Sequence, residues 1–252
     1  MTERGREEGS MFDLTGKTAI VTGSTQGIGK AVAAAMVRCG AKVFVHCSSD
    51  LAKAERVKEE IGAYGAVVAD LGDEKQVRAL ADKTGAVDIF VQNASVQFRK
   101  PWDGITSEEF DRQVAVNFKS TVILTQLYGK KMIEKGFGRI ITIGSVQQFK
   151  PHKDMAIYAA TKSAVMNYVT NLAKQLAPYG VTVNNVAPGV IATPRNADAL
   201  ADPEYAARVY AGIPMNRAGS ANELAGAVIL LASDEGSYIT GVNIDVDGGM
   251  KL

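Results

Sequence analysis

The feature that most limits how this chain can fold is a rhythm of short, uninterrupted apolar runs separated by longer stretches of helical spacing. Residues 17–22 (KTAIVT), 41–46 (AKVFVH), 66–69, 87–91 (VDIFV), 139–143 (RIITI), 181–186 (VTVNNV) and 242–246 read as strands. None alternates strictly between apolar and polar, as a strand with one wet face would. Strands apolar on both faces belong to a parallel sheet covered by helices on both sides. Helical patterns lie between them at 27–39, 51–61, after Asp73, 107–135, 155–177 and from Ser220 to Ala232. Three of these starts have capping-box spacing: Asp73 with Gln76, Thr106 with Glu109, and Ser220 with Glu223. Such regular alternation implies right-handed crossovers. The expected fold class is therefore α/β: a single domain with a doubly wound parallel sheet of about seven strands and helices on both faces.

Two stretches depart from the rhythm. Residues 1–12 are charged and lack the apolar core of a secretory signal, so they are expected to be a frayed tail before a domain at 13–252. Residues 189–219 contain Pro194, Pro203 and Pro214, have weak strand character, and suggest a short helix near 203–211. An insertion of this length in a compact domain points to a lid over a binding site, here around 190–218.

The first strand runs into T-G-S-T-Q-G-I-G at residues 22–29, just before a helix. Glycines let a backbone approach a diphosphate closely, and the helix start offers unpaired N–H groups and a positive dipole end. Gly23, Ser24, Gln26, Gly27, Ile28 and Gly29 are accordingly the expected phosphate-binding segment of a dinucleotide site. An NAD site usually carries an acidic residue at the end of the second strand. That strand ends in Cys47, Ser48 and Ser49, with Asp50 placed to cap the next helix. A missing carboxylate removes repulsion toward a 2′-phosphate, which favours NADP, with NAD the alternative. The basic residue that usually accompanies NADP is also missing, since Gln26 and Ser48 occupy the expected places.

A second cluster is Tyr158-Ala-Ala-Thr-Lys162 on the long helix after the fifth strand. Residues four apart share a helix face, so the phenol and the ammonium can meet in one site. A fixed cation stabilises phenolate and brings a group of reference pKa about 10 closer to useful acid–base chemistry. Ser145 follows the fifth strand, at the sheet edge where ligands of doubly wound folds bind, and its hydroxyl can donate to a substrate oxygen.

Taken together, these motifs resemble the short-chain dehydrogenase/reductase family over residues 14–252, nearly the whole chain. T-G-x-x-x-G-I-G is residues 22–29, Y-x-x-x-K is Tyr158 to Lys162, and the family serine is Ser145. The family asparagine matches Asn117. Asp70 and Leu71 match the pair that flanks the adenine. Pro188, Gly189, Ile191 and Thr193 fall in the segment that wraps the nicotinamide amide, and D-G-G at 247–249 matches the C-terminal signature. The resemblance implies a Rossmann-type fold, an NAD(P)-dependent oxidoreductase acting on CH–OH or C=O groups, and a homotetramer. It also implies roles: Tyr158 as proton carrier, Lys162 lowering the phenol pKa and binding the nicotinamide ribose, and Ser145 positioning the reacting oxygen. Asn117 would hold a helix irregularity and a water in a proton relay. One departure stands out. The family's N-N-A-G reads Gln92-Asn93-Ala94-Ser95 here. Asn93 and Ala94 keep the cofactor support, whereas Ser95 places a side chain where glycine is usual and is a candidate contact for cofactor and substrate.

Substrate signals are Gln147 and His152 between Ser145 and Tyr158, and Arg195 at the start of the lid. With neighbouring Lys and Arg residues, they suggest a small polar molecule of the sugar, sugar-acid or polyol type. Read otherwise, those charges are solvated loop residues. The rivals are a 3-oxoacyl thioester reductase and a non-catalytic nucleotide sensor on the same fold. The first would use basic surface for an acidic carrier, but 28 Lys and Arg against 27 Asp and Glu leave a net charge of +1. That balance also gives no footprint for nucleic acid or an anionic membrane. No apolar run reaches the roughly 18–20 residues of a membrane span. Two cysteines, Cys39 and Cys47, make no disulfide framework, so the cytoplasm is the expected location. No metal is expected.

Overall fold

The computed structural model describes residues 11–252. Its elements in chain order are β1 (Thr18–Val21), α1 (Gly27–Arg38), β2 (Lys42–Cys47), α2 (Leu51–Ile61), β3 (Gly65–Val68), α3 (Glu74–Thr84), β4 (Ile89–Gln92), α4 (Ser107–Val114), α5 (Ser120–Lys135), β5 (Gly138–Ile143), α6 (Ala156–Leu176) and β6 (Val181–Pro188). These are followed by β7 (Ile191–Ala192), α7 (Pro194–Ala201), α8 (Pro203–Ala211), β8 (Gly219–Ser220), α9 (Ala221–Ala232) and β9 (Asn243–Val246). Seven strands form one parallel sheet in the order β3-β2-β1-β4-β5-β6-β9. The winding reverses between β1 and β4, which pair with Ile20 opposite Phe90. At such a switch point the loops leaving the two strands splay apart and open a crevice.

The apolar runs are continuous because the central strands feed two cores. In β1, Ala19 and Val21 enter the layer under α1 and α9 with Val32, Met36, Leu224 and Val228. Ile20 points the other way, to Leu80, Phe90, Leu124, Tyr128 and Val169 of the layer under α3, α5 and α6. Period-two side chains with both faces covered leave no solvent-facing position inside the strand.

Four details differ from the sequence-based expectation. Of the expected tail at 1–12, residues 1–10 lie outside the described residues, but Phe12 packs against the layer containing Leu14 and so belongs to the fold. The Thr106 and Ser220 capping boxes form, whereas Gln76 turns its side-chain oxygen to the Asp70 N–H (2.9 Å), leaving Asp73 to cap α3 alone. The helix read from spacing at 107–135 is interrupted by a π-helical turn, Ala115–Lys119, centred on Asn117, which is the irregularity the family resemblance implied there. Finally, the insertion holds the short helix expected at 203–211, α8, and a second one before it, α7. Pro194 and Pro203 each occupy a first helical turn, where their fixed φ suits the helix and no N–H is missed, and Asp202 caps α8 through the N–H of Glu204 at 3.0 Å. β7 and β8 pair in parallel and tie the two ends of the insertion together. Among the described residues, no helix is long and apolar enough to cross a membrane, and no group of three or more His, Cys, Asp or Glu is placed to hold a metal ion.

Candidate active site

A cleft of about 760 Å³ runs along the carboxyl ends of the strands, from Cys47 and Lys53 at one end, past the glycine loop, to Tyr158 and the α7–α8 insertion at the other. The glycine loop is fixed by its neighbours. Gly23 and Gly27 adopt left-handed φ of 63° and 54°, which suits residues without a side chain. A Cβ on Gly29 would run into the Gly23 carbonyl oxygen and the Asn93 amide, so only glycine lets α1 sit this close. Asn93 bridges β4 to β1 by donating from Nδ2 to the carbonyls of Thr22 (2.8 Å) and Gly23 (3.0 Å). Thr22 Oγ1 accepts from the N–H groups of Asn93 and Ala94, both at 3.0 Å, and donates to Gln92 Oε1 at 2.9 Å. Gln92, one of the two departures from the family pattern, is thus a buried strut between the switch-point strands.

His46, not singled out from the sequence, is the second strut. Its Nδ1 accepts from the Gly23 N–H at 2.9 Å while Nε2 meets the Ala69 carbonyl at 3.0 Å, which requires the Nε2–H tautomer. Burial pulls its pKa down to about 4, so it stays neutral and keeps that tautomer. Ser24 differs from expectation. Its side chain is fully buried and accepts from the His46 N–H at 2.9 Å, so Thr25, not Ser24, faces the cleft beside Gln26, Gly27, Ile28 and Gly29. α2, α3, α4, α8 and α9 begin with a side-chain cap, whereas α1 has none and no acidic residue in its first turn. A glycine cradle beneath unpaired helix N–H groups fits a diphosphate.

At the far end of β2, Cys47 and Ser48 line the cleft, and Ser49, also expected there, does not. Asp50 caps α2 through the Lys53 N–H at 2.8 Å. The basic residue the motif lacked comes from the same helix turn: Lys53 Nζ donates to Gln26 Oε1 at 2.8 Å and lines the cleft. It was missed because it lies six residues beyond the strand end and reaches the site only once α2 forms. Asp70 and Leu71 are also on the cleft wall, with Asp70 held by Arg112 at 2.8 Å.

At the other end Ser145, Tyr158 and Lys162 converge, all buried. Ser145 follows β5 and starts a short 3₁₀ turn, with its Oγ accepting from the Gln147 N–H at 3.1 Å. Tyr158 and Lys162 lie one turn apart on α6, and Lys162 Nζ donates to the Ile143 carbonyl at 2.6 Å. Burial pushes the Tyr158 phenol up, opposed by the charge of Arg195 and by hydrogen bonds with Ser145, Ser95 and Arg195. Burial, aided by Arg195, pulls Lys162 down to about 7. Asn117 does not reach the cleft. It lies in the π-helical turn, accepts from the Val96 N–H (2.8 Å), and donates to the Val96 carbonyl (2.9 Å) and Thr161 Oγ1 (3.2 Å). Its side chain ties the strand-4 loop to α6.

Ala94, Ser95, Gln147, His152, Pro188, Gly189, Ile191, Thr193 and Arg195 all line this end. Ser95 does not adopt a left-handed φ, so replacing glycine carries no backbone strain. Its side chain has a partner instead: Arg195 donates from Nη1 to Ser95 Oγ (3.0 Å) and from Nη2 to the Ser95 carbonyl (2.7 Å).

Comparison with known proteins agrees with this geometry. A family model described as enoyl-(acyl carrier protein) reductase matches residues 23–251. The chain is 37% identical over 249 residues to 3beta-hydroxysteroid dehydrogenase 1 of Eggerthella lenta, covering 95% of each. Its structure resembles a 3-oxoacyl (acyl-carrier-protein) reductase of Agrobacterium tumefaciens C58 with NADP bound, at TM-score 0.90 and 35% identity, covering 99% of this chain and 100% of that one. It likewise resembles a gluconate 5-dehydrogenase of Burkholderia cenocepacia J2315 in complex with NADP and tartrate, at TM-score 0.89 and 33% identity over 95% and 96% of the chains. The chain belongs to the short-chain dehydrogenase/reductase family and is an NAD(P)-dependent oxidoreductase that interconverts alcohols and carbonyls.

Proposed function

We propose that Tyr158 is the proton carrier of this reaction, that NADP is the preferred cofactor, and that the substrate is a small polar molecule of the sugar or polyol type. The observation that carries the reading is the convergence of Ser145, Tyr158 and Lys162, all buried, at one end of a cleft whose other parts fit a dinucleotide. The nicotinamide, when bound, supplies or accepts the hydride. Tyr158 donates its proton to the carbonyl oxygen on reduction and takes it back on oxidation. The Arg195 charge favours the phenolate that this exchange passes through. Because the Gln147 N–H occupies a lone pair of Ser145 Oγ, the hydroxyl proton is free to turn to the substrate oxygen and stabilise its developing charge. Asn117 is a positioning residue that sets the loop bearing Ser95 and Val96 against α6.

The NADP preference is supported by the lack of a carboxylate at Cys47, Ser48 and Ser49, by Asp50 being occupied as a helix cap, and by Lys53 on the cleft wall. A polar substrate is supported by Gln147, His152 and Arg195 at the reaction end, and residues 190–218 serve as its lid through α7 and α8. The half-exposed Phe110 on α4 and exposed Trp102 before it are apolar surface suited to a homotetramer, which gel filtration tests. Two unpaired cysteines accord with a cytoplasmic site of action.

The test is an initial-rate panel of polyols, sugar acids, simple secondary alcohols and a 3-oxoacyl thioester with each nicotinamide, repeated with Tyr158→Phe. The expected result is NADP-linked turnover of a polar substrate that falls by about 10²–10⁴ in the variant while NADPH still binds within a few-fold of wild type. An active Tyr158→Phe enzyme overturns the assignment, and turnover of the thioester alone replaces the substrate class.

A further inference from the structure

We propose that Arg195, seated on Ser95 beside Tyr158, is a carboxylate-binding group, so that the substrate is a small hydroxy acid, or the corresponding oxo acid, rather than a neutral sugar or polyol. The inference rests on Tyr158 marking the reacting oxygen. It begins from a pair of residues 100 positions apart: the guanidinium of Arg195, in the first turn of α7, donates to both the side chain and the main chain of Ser95. Two bonds to one residue fix the plane of the fork and use only some of its five N–H donors. The same guanidinium lies close enough to the Tyr158 phenol for its charge to oppose the effect of burial there. A group bound to the remaining donors therefore lies next to the oxygen that exchanges a proton with Tyr158, which places it about one or two carbons from the reacting carbon in a compact substrate.

The charges around it select the kind of group. Among the described residues Asp70 is the sole acidic one on the cleft wall, and it lies at the opposite end, paired with Arg112. At the substrate end, Lys150 is held by the Met250 carbonyl at 3.0 Å. Arg99 gives a hydrogen bond to Tyr205 and shares a shallower outer recess with Asp154, Asp198 and Asp202. Arg195 has no such company. No carboxylate among the described residues forms an ion pair with it, although it stands close enough to Lys162 for the two positive charges to repel. A fixed fork held next to a second cation, with no counterion of its own, suits an anionic ligand. A planar bidentate anion such as a carboxylate matches its geometry. Ser95 is then a positioning residue whose hydroxyl holds the fork, which gives the departure from glycine a function.

The test uses matched ligands of nearly the same shape, one anionic and one neutral: a hydroxy acid turned over by the enzyme and its primary amide, with malonate as a non-reacting probe. Wild type should prefer the acid over the amide by about 10–100-fold in kcat/KM, the size expected of a charge-assisted pair. Arg195→Met should collapse that ratio toward unity and weaken malonate binding to the enzyme–NADPH complex by at least about tenfold in calorimetry. Ser95→Gly should fall between the two, raising KM for the acid more than it lowers kcat, with Arg195→Lys restoring part of the charge but not the fork. An acid-to-amide ratio or a malonate affinity that is the same in wild type and Arg195→Met overturns the proposal. It does so without touching the Tyr158 assignment, which stands or falls on Tyr158→Phe, and malonate binding judges Arg195 even if neither acid nor amide is turned over.

Discussion

The two ends of the cleft are built by different means. The cofactor end is made of backbone: glycines in conformations that favour no side chain, an uncapped helix start, and a lattice of internal bonds through Thr22, His46, Gln92 and Asn93. The substrate end is made of exposed or half-exposed side chains on the α7–α8 insertion, facing loops that leave β4 and β5. A backbone site tolerates almost no change and binds what every member of a family shares. A side-chain site can be rewritten one residue at a time without disturbing the sheet, and there specificity accumulates. Ser95 shows the contrast directly: a residue added at a glycine position of the substrate end fits without strain and acquires a partner in Arg195.

The sharpest way to break this contrast is Gly29→Ala. The added methyl meets the Gly23 carbonyl and the Asn93 amide, so either α1 or the β4 loop must shift. Overpacking of this kind costs about 1–3 kcal/mol of stability. The displaced cradle should lose NADPH and NADH alike, by at least about 100-fold in a fluorescence titration, a loss of about 2.7 kcal/mol. Tight binding by a folded Gly29→Ala protein would mean that the backbone does not set this end. A smaller and more selective effect is expected of Lys53→Glu. It leaves the cradle intact and removes the one cation on the cleft wall near Cys47 and Ser48, so NADPH should weaken by about 10–100-fold while NADH does not. Competition by 2′,5′-ADP should fall in parallel. An unchanged NADPH-to-NADH ratio would remove Lys53 from cofactor choice.

The same contrast explains what could be read from the sequence. The sheet, its two-sided core and the glycine loop follow from local patterns, because apolar runs and glycine spacing act within a few residues. Tyr158 and Lys162 were legible for the same reason, four residues apart on one helix. Ser24 was misplaced because spacing does not say which way a loop side chain turns, and in the fold it turns to His46. Gln76 was assigned a partner by motif and found another, the Asp70 N–H, whereas the helix irregularity implied for Asn117 is present as the π-helical turn, with the Val96 main chain as its unforeseen partner. Lys53 and the Ser95–Arg195 pair were invisible as contacts, since they depend on how α2 and α7 pack on the cleft, 27 and 100 residues from their partners. Of the two helices in the insertion, α8 was legible near 203–211, whereas α7 hid because Pro194 reads as a breaker until it is seen to begin a helix.

The mildest test concerns the seam between the two ends, where Lys162 is buried and shares its surroundings with Arg195. Its pKa falls from an ordinary 10.5 to about 7, burial being the larger cause. Between those values the unfolded chain carries a proton that the folded chain has released, so stability rises with pH across this window. From pH 7 to pH 9 this one group should add about 2 kcal/mol, equivalent to an increase of about 4–8 °C in melting temperature for a chain of this size. Cys47 tilts the same way. Burial raises its thiol, but hydrogen bonds from the Ser49 and Asp50 N–H groups and from Thr25, together with the Lys53 charge, outweigh that and hold it below its ordinary value. The observable is therefore the difference between wild type and Lys162→Met. The variant should be flatter over this range, whereas an identical slope would mean that Lys162 keeps its proton in the folded protein. Arg195→Met supplies the link to the substrate end: relieving one of the two causes should let Lys162 hold its proton to higher pH, moving the onset of the rise upward. If that onset does not move, the two ends are electrostatically independent.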